Sequence, residues 1–176
     1  MAMKRLEGRA ETVVRAPMAT CFSVLATVER YPSWCGELIP EVTVLDRDCD
    51  GRARRARVVV YVAQSPFGKR FEFDAAIRSQ PARAVHLSRI PSAPSDSDRF
   101  SLSWTLKESL NESLDGSLKE DQGTRLGLEF AAVVSFLPGV LPLPGVGDLI
   151  ARTLIDAAAH HLDGSRAPMP GARSSV

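Results

Sequence analysis

Apolar and polar residues alternate along much of this chain. Over residues 69–77, Phe71, Phe73, Ala75 and Ile77 share one face, with Arg70, Glu72 and Asp74 on the other. Residues 99–107 repeat the pattern, with Phe100, Leu102, Trp104 and Leu106 opposite Ser101, Ser103 and Thr105. Residues 124–136 do so again through Leu126, Leu128, Phe130 and Ala132. A period of two with one apolar face predicts strands of an antiparallel sheet covered on one side. Weaker strand signals lie over residues 9–16, where Thr12, Val13 and Val14 are β-branched, and over 41–46, 54–63 and 85–90. Asp50-Gly51 joins the 41–46 and 54–63 strands as a hairpin turn.

The period changes to that of a helix in two places. Met18, Cys21, Phe22, Leu25 and Val28 form the first stripe, with Pro17 suited to the first helical position. The stretch VERYPSWCGEL, residues 28–38, predicts an elbow. The helix should stop near Arg30, because a residue before proline, here Tyr31, is pushed out of the α region. Pro32 then starts a short turn through Ser33, Trp34 and Cys35, which Gly36 ends. The second helix spans residues 146–162, with Leu149, Ile150, Thr153, Leu154, Ala157, Ala158 and His161 on its apolar side. Asp148, Arg152, Asp156 and His160 lie opposite. Residues 91–98 (PSAPSDSD) and 111–123 read as mobile loops, and the Gly/Pro/Ser-rich tail over 164–176 as disordered.

The order is therefore strand, helix, short helix, about six strands and one long helix. This is an α+β chain in a single domain over residues 1–163. A sheet of that size curls. One helix laid along its concave side leaves space, so a deep apolar pocket is expected between them.

Composition narrows the partners. With a net charge of +1 in 176 residues, no overall field draws the chain to nucleic acid, and none is expected as a partner. Cys21, Cys35 and Cys49 are odd in number and lack metal-ligand spacing, which fits reduced thiols in a cytoplasmic protein. The opening MAMKRLEGRAE lacks the apolar core of a signal peptide, and no apolar run is long enough to span a membrane. Nucleophile-elbow, metal and phosphate-loop motifs are missing, so no metal, no cofactor and no catalytic residue is assigned.

Ala16-Pro17 before the first helix, Phe22 within it and VERYPSW at its end match one known pattern. IPEVTVLDRDCDG (39–51) and GTRLGLEF (123–130) continue it. With these the chain resembles the START-like, helix-grip superfamily, in its branch of polyketide cyclase/dehydrase and coenzyme Q-binding proteins. The resemblance implies a curved antiparallel sheet wrapped around a long C-terminal helix, with two short helices after the first strand. It also implies a deep pocket for a lipid, an isoprenoid quinone or a polyketide-like molecule, bound or carried. In that arrangement the elbow sits beside the open end of the sheet, and Trp34 either lines the entrance or packs as a corner of the core. The expected ligand contacts are Trp34, Phe71, Phe73, Leu102, Trp104, Leu128, Phe130, Leu149 and Leu154.

Two other functions compete. An aromatase/cyclase needs proton-transferring groups within the pocket. His86 and His161 are the candidates, then Asp74 and Glu129, although the last two fall opposite their strands' apolar faces. A ligand-free interaction module would dock a partner through the apolar connection over 136–146. That connection is alternatively a lid or a point of transient membrane contact. The arginine run over 51–57 suits a solvated strand face better than a lipid or RNA surface. The sequence leaves the oligomeric state open.

Overall fold

A computed structural model describes residues 4–64, 67–109, 123–134 and 145–164. β1 (Lys4–Val14) leads into α1 (Met18–Ala26), a single 3-10 turn (Val28–Arg30) and α2 (Tyr31–Cys35). Six strands follow: β2 (Glu41–Arg47), β3 (Ala53–Gln64), β4 (Phe67–Gln80), β5 (Ala84–Arg89), β6 (Arg99–Ser109) and β7 (Gly123–Val134). The long helix α3 (Val146–Gly164) closes the order. The sheet runs β1-β7-β6-β5-β4-β3-β2 with every pair antiparallel, so this is the α+β helix-grip architecture expected.

Register carries one apolar face across the sheet. Ala56 opposes Ala75, Ile77 opposes Leu87, Leu87 opposes Leu102, Leu102 opposes Phe130, and Phe130 opposes Gly8. Directly paired residues point to the same side, and this is the concave side. α3 lies mainly along β1 and β7. The two elements come into backbone contact where Gly8 faces Gly147, since a Cβ on either would collide with the other segment's main chain. Asp148 Oδ1 accepts the Arg9 N–H at 3.1 Å, and Asp163 Oδ1 accepts the Arg15 N–H at 3.2 Å. Helix carboxylates thus satisfy donors on the free edge of β1.

Antiparallel alternation also sorts the loops into two ends. α1 packs beneath β5, β6 and β7 where Val85, Trp104 and Leu126 lie, closing that end. Val14, Leu25, Val28, Tyr31, Val85, Trp104 and Leu126 are fully buried there. The β5–β6 loop and the N-terminus of α3 lie at the other, open end. The strand ends joined by residues 110–122, Ser109 and Gly123, lie at the closed end beside Val14. The segments 111–122 and 136–144 and the tail from 165 lie outside the described residues.

Several local expectations need correction. β1 starts at Lys4 rather than Arg9, because its polar first half pairs with the C-terminal half of β7. Pro17 is the residue before α1, with φ −60° and ψ 150°, not its first helical residue. α1 ends at Ala26, earlier than Arg30. Thr27 leaves the helix with ψ 72°, while its hydroxyl and its N–H both bond to the Ser23 carbonyl. Tyr31 keeps α geometry (φ −52°, ψ −40°) despite preceding proline. The physical reason is its hydroxyl, which donates to the Leu25 carbonyl at 2.7 Å and satisfies an acceptor that the last turn of α1 leaves free. The 91–98 loop is held by hydrogen bonds described below rather than left loose.

Candidate functional site

The concave face is lined by apolar residues that the protein only half covers. Val42, Val44, Val60, Phe73 and Phe100 of the sheet are partly buried, as are Trp34 and Leu38 of the elbow and Ile150 and Ala157 of α3. The cause is placement: α3 leans on β1 and β7, while the 3-10 turn and α2 reach only as far as β2, so among the described residues the inner face of β3 and β4 is little covered by helix. Phe73, Phe100 and Phe130 make an aromatic wall towards the open end, with ring centroids 4.9 Å and 5.7 Å apart.

At the closed end Trp34 joins three elements. Its ring is 4.7 Å from Tyr31, 6.2 Å from Trp104 on β6 and 6.4 Å from His161 on α3. The elbow is therefore a packed corner at the closed end, and the expectation of an entrance beside it is overturned. Burial holds the Tyr31 phenol and the Cys35 thiol in their neutral forms, the thiol pushed up to about 12. Cys21 and Cys35 are buried, and Cys49 is exposed.

Leu102, Trp104, Leu128, Phe130 and Leu154 are buried on the concave side, and Phe71 and Phe73 are half-buried there. Leu149 is not: it is 64% exposed. α3 buries Gly147, Ala151, Leu154, Ile155, Ala158 and Leu162 instead. Because Gly147 must face β1, the residue two further on points about 200° away. Ile150, Ala157 and His161 flank this stripe, while Thr153 is exposed.

The sequence reading missed Arg89. It pairs with Ala75 and follows Val85 and Leu87 in phase, which places a charge on the apolar concave face. That break in the alternation was the available signal. Arg89 Nη1 donates to Asp96 Oδ1 at 2.7 Å and to the Asp98 carbonyl at 2.9 Å. Asp96 also accepts from Ser92 N–H and Oγ–H at 2.9 and 2.8 Å, which ties the β5–β6 loop to the rim of the concavity. Arg89, then Ser92, hold the Asp96 carboxyl well below the usual carboxylate range. A depressed pKa contributes stability in full above the unfolded value, near 3.9, and loses it as pH falls towards the folded value. The urea midpoints of wild type and Asp96→Asn should thus differ by a constant amount above about pH 5 and converge in more acidic solution. A difference independent of pH would show that the carboxylate charge is not what holds the loop.

The titratable candidates separate by face. His86 bonds to Ser103 at 2.6 Å and Glu129 pairs with Arg9, both on the convex side. Asp74 is there too, bridging Arg55 and Arg57 of the basic run at 2.5 and 3.0 Å. His161 alone of the four faces the concave side. Among the described residues no group of His, Cys, Asp and Glu gathers to hold a metal, and no helix is long and apolar enough to cross a membrane.

A curved seven-stranded sheet, a two-part elbow closing one end and a long C-terminal helix along its concavity define a START-like helix-grip domain. The chain belongs to the polyketide cyclase/dehydrase and lipid transport family, whose model matches residues 14–159. No curated protein matches the sequence. Among solved structures, a START superfamily protein from Mycobacterium smegmatis is 20% identical, with a TM-score of 0.61 over 91% of this chain and 96% of that one. A Deinococcus radiodurans protein is 14% identical, with a TM-score of 0.59 over 90% and 96%. The di-domain ARO/CYC StfQ of the steffimycin biosynthetic pathway is 16% identical, with a TM-score of 0.57 over 89% of this chain and 44% of that one. Likeness at these identities establishes the fold.

Proposed function

We propose that this protein binds and carries a hydrophobic small molecule, a lipid, an isoprenoid quinone or a polyketide-like compound, between the sheet and α3. The observation that supports this is the half-covered apolar lining of the concave face. Apolar surface left reachable on the inside of a fold gains about 25 cal/mol per Å2 when a ligand covers it. Trp34, Phe71, Phe73, Leu102, Trp104, Leu128, Phe130 and Leu154 remain the proposed contacts. Phe100 and Ile150 replace Leu149, and Arg89 at the rim orients a polar end.

Mass spectrometry of an organic extract of natively purified protein should reveal a retained hydrophobic compound. Phe73→Ala should lower affinity for it roughly tenfold, the loss of part of one aromatic contact. An empty extract, with no thermal shift from a panel of lipids, quinones and aromatic polyketides, would overturn the reading in favour of an interaction module. An aromatase/cyclase reading rests on His161, which stacks on Trp34. It requires a His161 substitution to abolish turnover while binding survives.

A further inference from the structure

The aromatic cluster at the closed end contains a polar defect. Trp34 and Trp104 are the only two tryptophans of the chain, and both indole Nε1–H groups are buried without a hydrogen-bond partner. Trp104 is fully buried, on the concave face of β6. A dry, unpartnered donor costs about 1–3 kcal/mol, and native buried polar groups are nearly always paired. Neighbouring protein acceptors do not resolve it. The Tyr31 hydroxyl gives its proton to Leu25, and its oxygen keeps lone pairs able to accept. The Trp104 N–H lies near enough to that hydroxyl to oppose slightly the effect of burial on the phenol, yet it does not reach hydrogen-bond geometry.

The chemistry of the defect is one-sided. An indole nitrogen only donates, whereas a carbonyl oxygen only accepts and has two lone pairs. A trapped water would bring two hydrogens of its own that need acceptors. Trp34 is half-buried, so its ring extends from this cluster to the edge of the half-covered apolar lining. We infer that the Trp34 and Trp104 indole N–H groups receive a carbonyl oxygen of the bound molecule. The ligand is then a keto- or quinone-type compound that enters carbonyl first, any second polar group being the one left at the Arg89 rim. This inference rests on the binding function proposed above and narrows it.

Fluorenone and fluorene, which differ by C=O against CH2, make the test. The full 15N-labelled chain has two indole N–H signals, one from each tryptophan. Fluorenone should move at least one of them downfield and bind about tenfold or more tightly than fluorene. A purely apolar pocket would favour fluorene, the more hydrophobic of the two. Trp34→Phe and Trp104→Phe should each shrink the ratio of fluorenone to fluorene affinity, whatever either change does to apolar binding as a whole. The indole shifts are read in the wild-type protein, so they do not depend on whether the variants fold. Equal or weaker binding of fluorenone, with indole signals that respond alike to both probes, would overturn the donor pair and leave hydrophobic binding standing. Failure of both probes to bind would overturn the two readings together.

Discussion

Gly147→Ala should lower the unfolding free energy by about 3 kcal/mol or more. Helix propensity alone gives the opposite sign, since alanine is the better residue inside a helix by about 1 kcal/mol. The clash decides between them. A Cβ at Gly147 would overlap the Glu7 carbonyl and lie 2.9 Å from the Glu7 nitrogen, all of it main chain in a strand paired to β7. Backbone held in a ladder cannot swing aside as a long side chain can. The N-terminal turn of α3 must lift off β1, and the Asp148 bond to Arg9 is lost with it. Urea unfolding followed by circular dichroism reads the change as a lower midpoint with an unchanged slope. A midpoint equal to or above wild type would mean that the helix is not seated against β1 as described.

That contact also shows which features were legible in the sequence. The strands around Phe73, Trp104 and Leu128 announced themselves because a half-buried strand writes its two faces as alternation, and the hairpin at Asp50-Gly51 because Gly51 takes φ +78°. The face of α3 was misread for a specific reason. A small residue at a close approach, Gly147, fixes the helix rotation more firmly than a large apolar one, Leu149, and hydrophobic periodicity gives glycine no weight. The end of α1 was misplaced because the apolar stripe runs on to Val28, whereas Thr27 turns out of the helix and bonds back to Ser23. The proline rule failed separately at Tyr31, whose hydroxyl bonds to Leu25. Of the proposed site, which aromatic residues share the concave face was readable from strand phase. The surroundings of Arg89 and of the two indole N–H groups were not, because what each side chain reaches depends on the curvature of the sheet and the position of the elbow.

Trp104→Ala should destabilise the protein by about 3 kcal/mol, while Trp104→Phe should leave it nearly as stable as wild type or slightly more so. Large-to-small changes of a buried Phe or Trp cost about 3–5 kcal/mol through lost burial and the cavity left behind. Here the surroundings cannot collapse inward. Tyr31 is fixed by its hydroxyl, Trp34 by its contacts with Tyr31 and His161, and Val85 by its ladder to β6. The opposing effect is that either substitution removes a donor buried without a partner, relieving a cost of about 1–3 kcal/mol. That places the alanine variant at the low end of the range. Phenylalanine keeps most of the ring while losing the donor, so for it the two effects nearly cancel. Far-UV circular dichroism in urea measures both without relying on the fluorescence that the substitutions change. Should Trp104→Phe cost as much as an ordinary lost hydrogen bond, the indole would be partnered in the empty protein and would not be waiting for a ligand oxygen. Near-neutral stability together with a lost preference for fluorenone would mark Trp104 as a residue kept for binding at some expense to the fold.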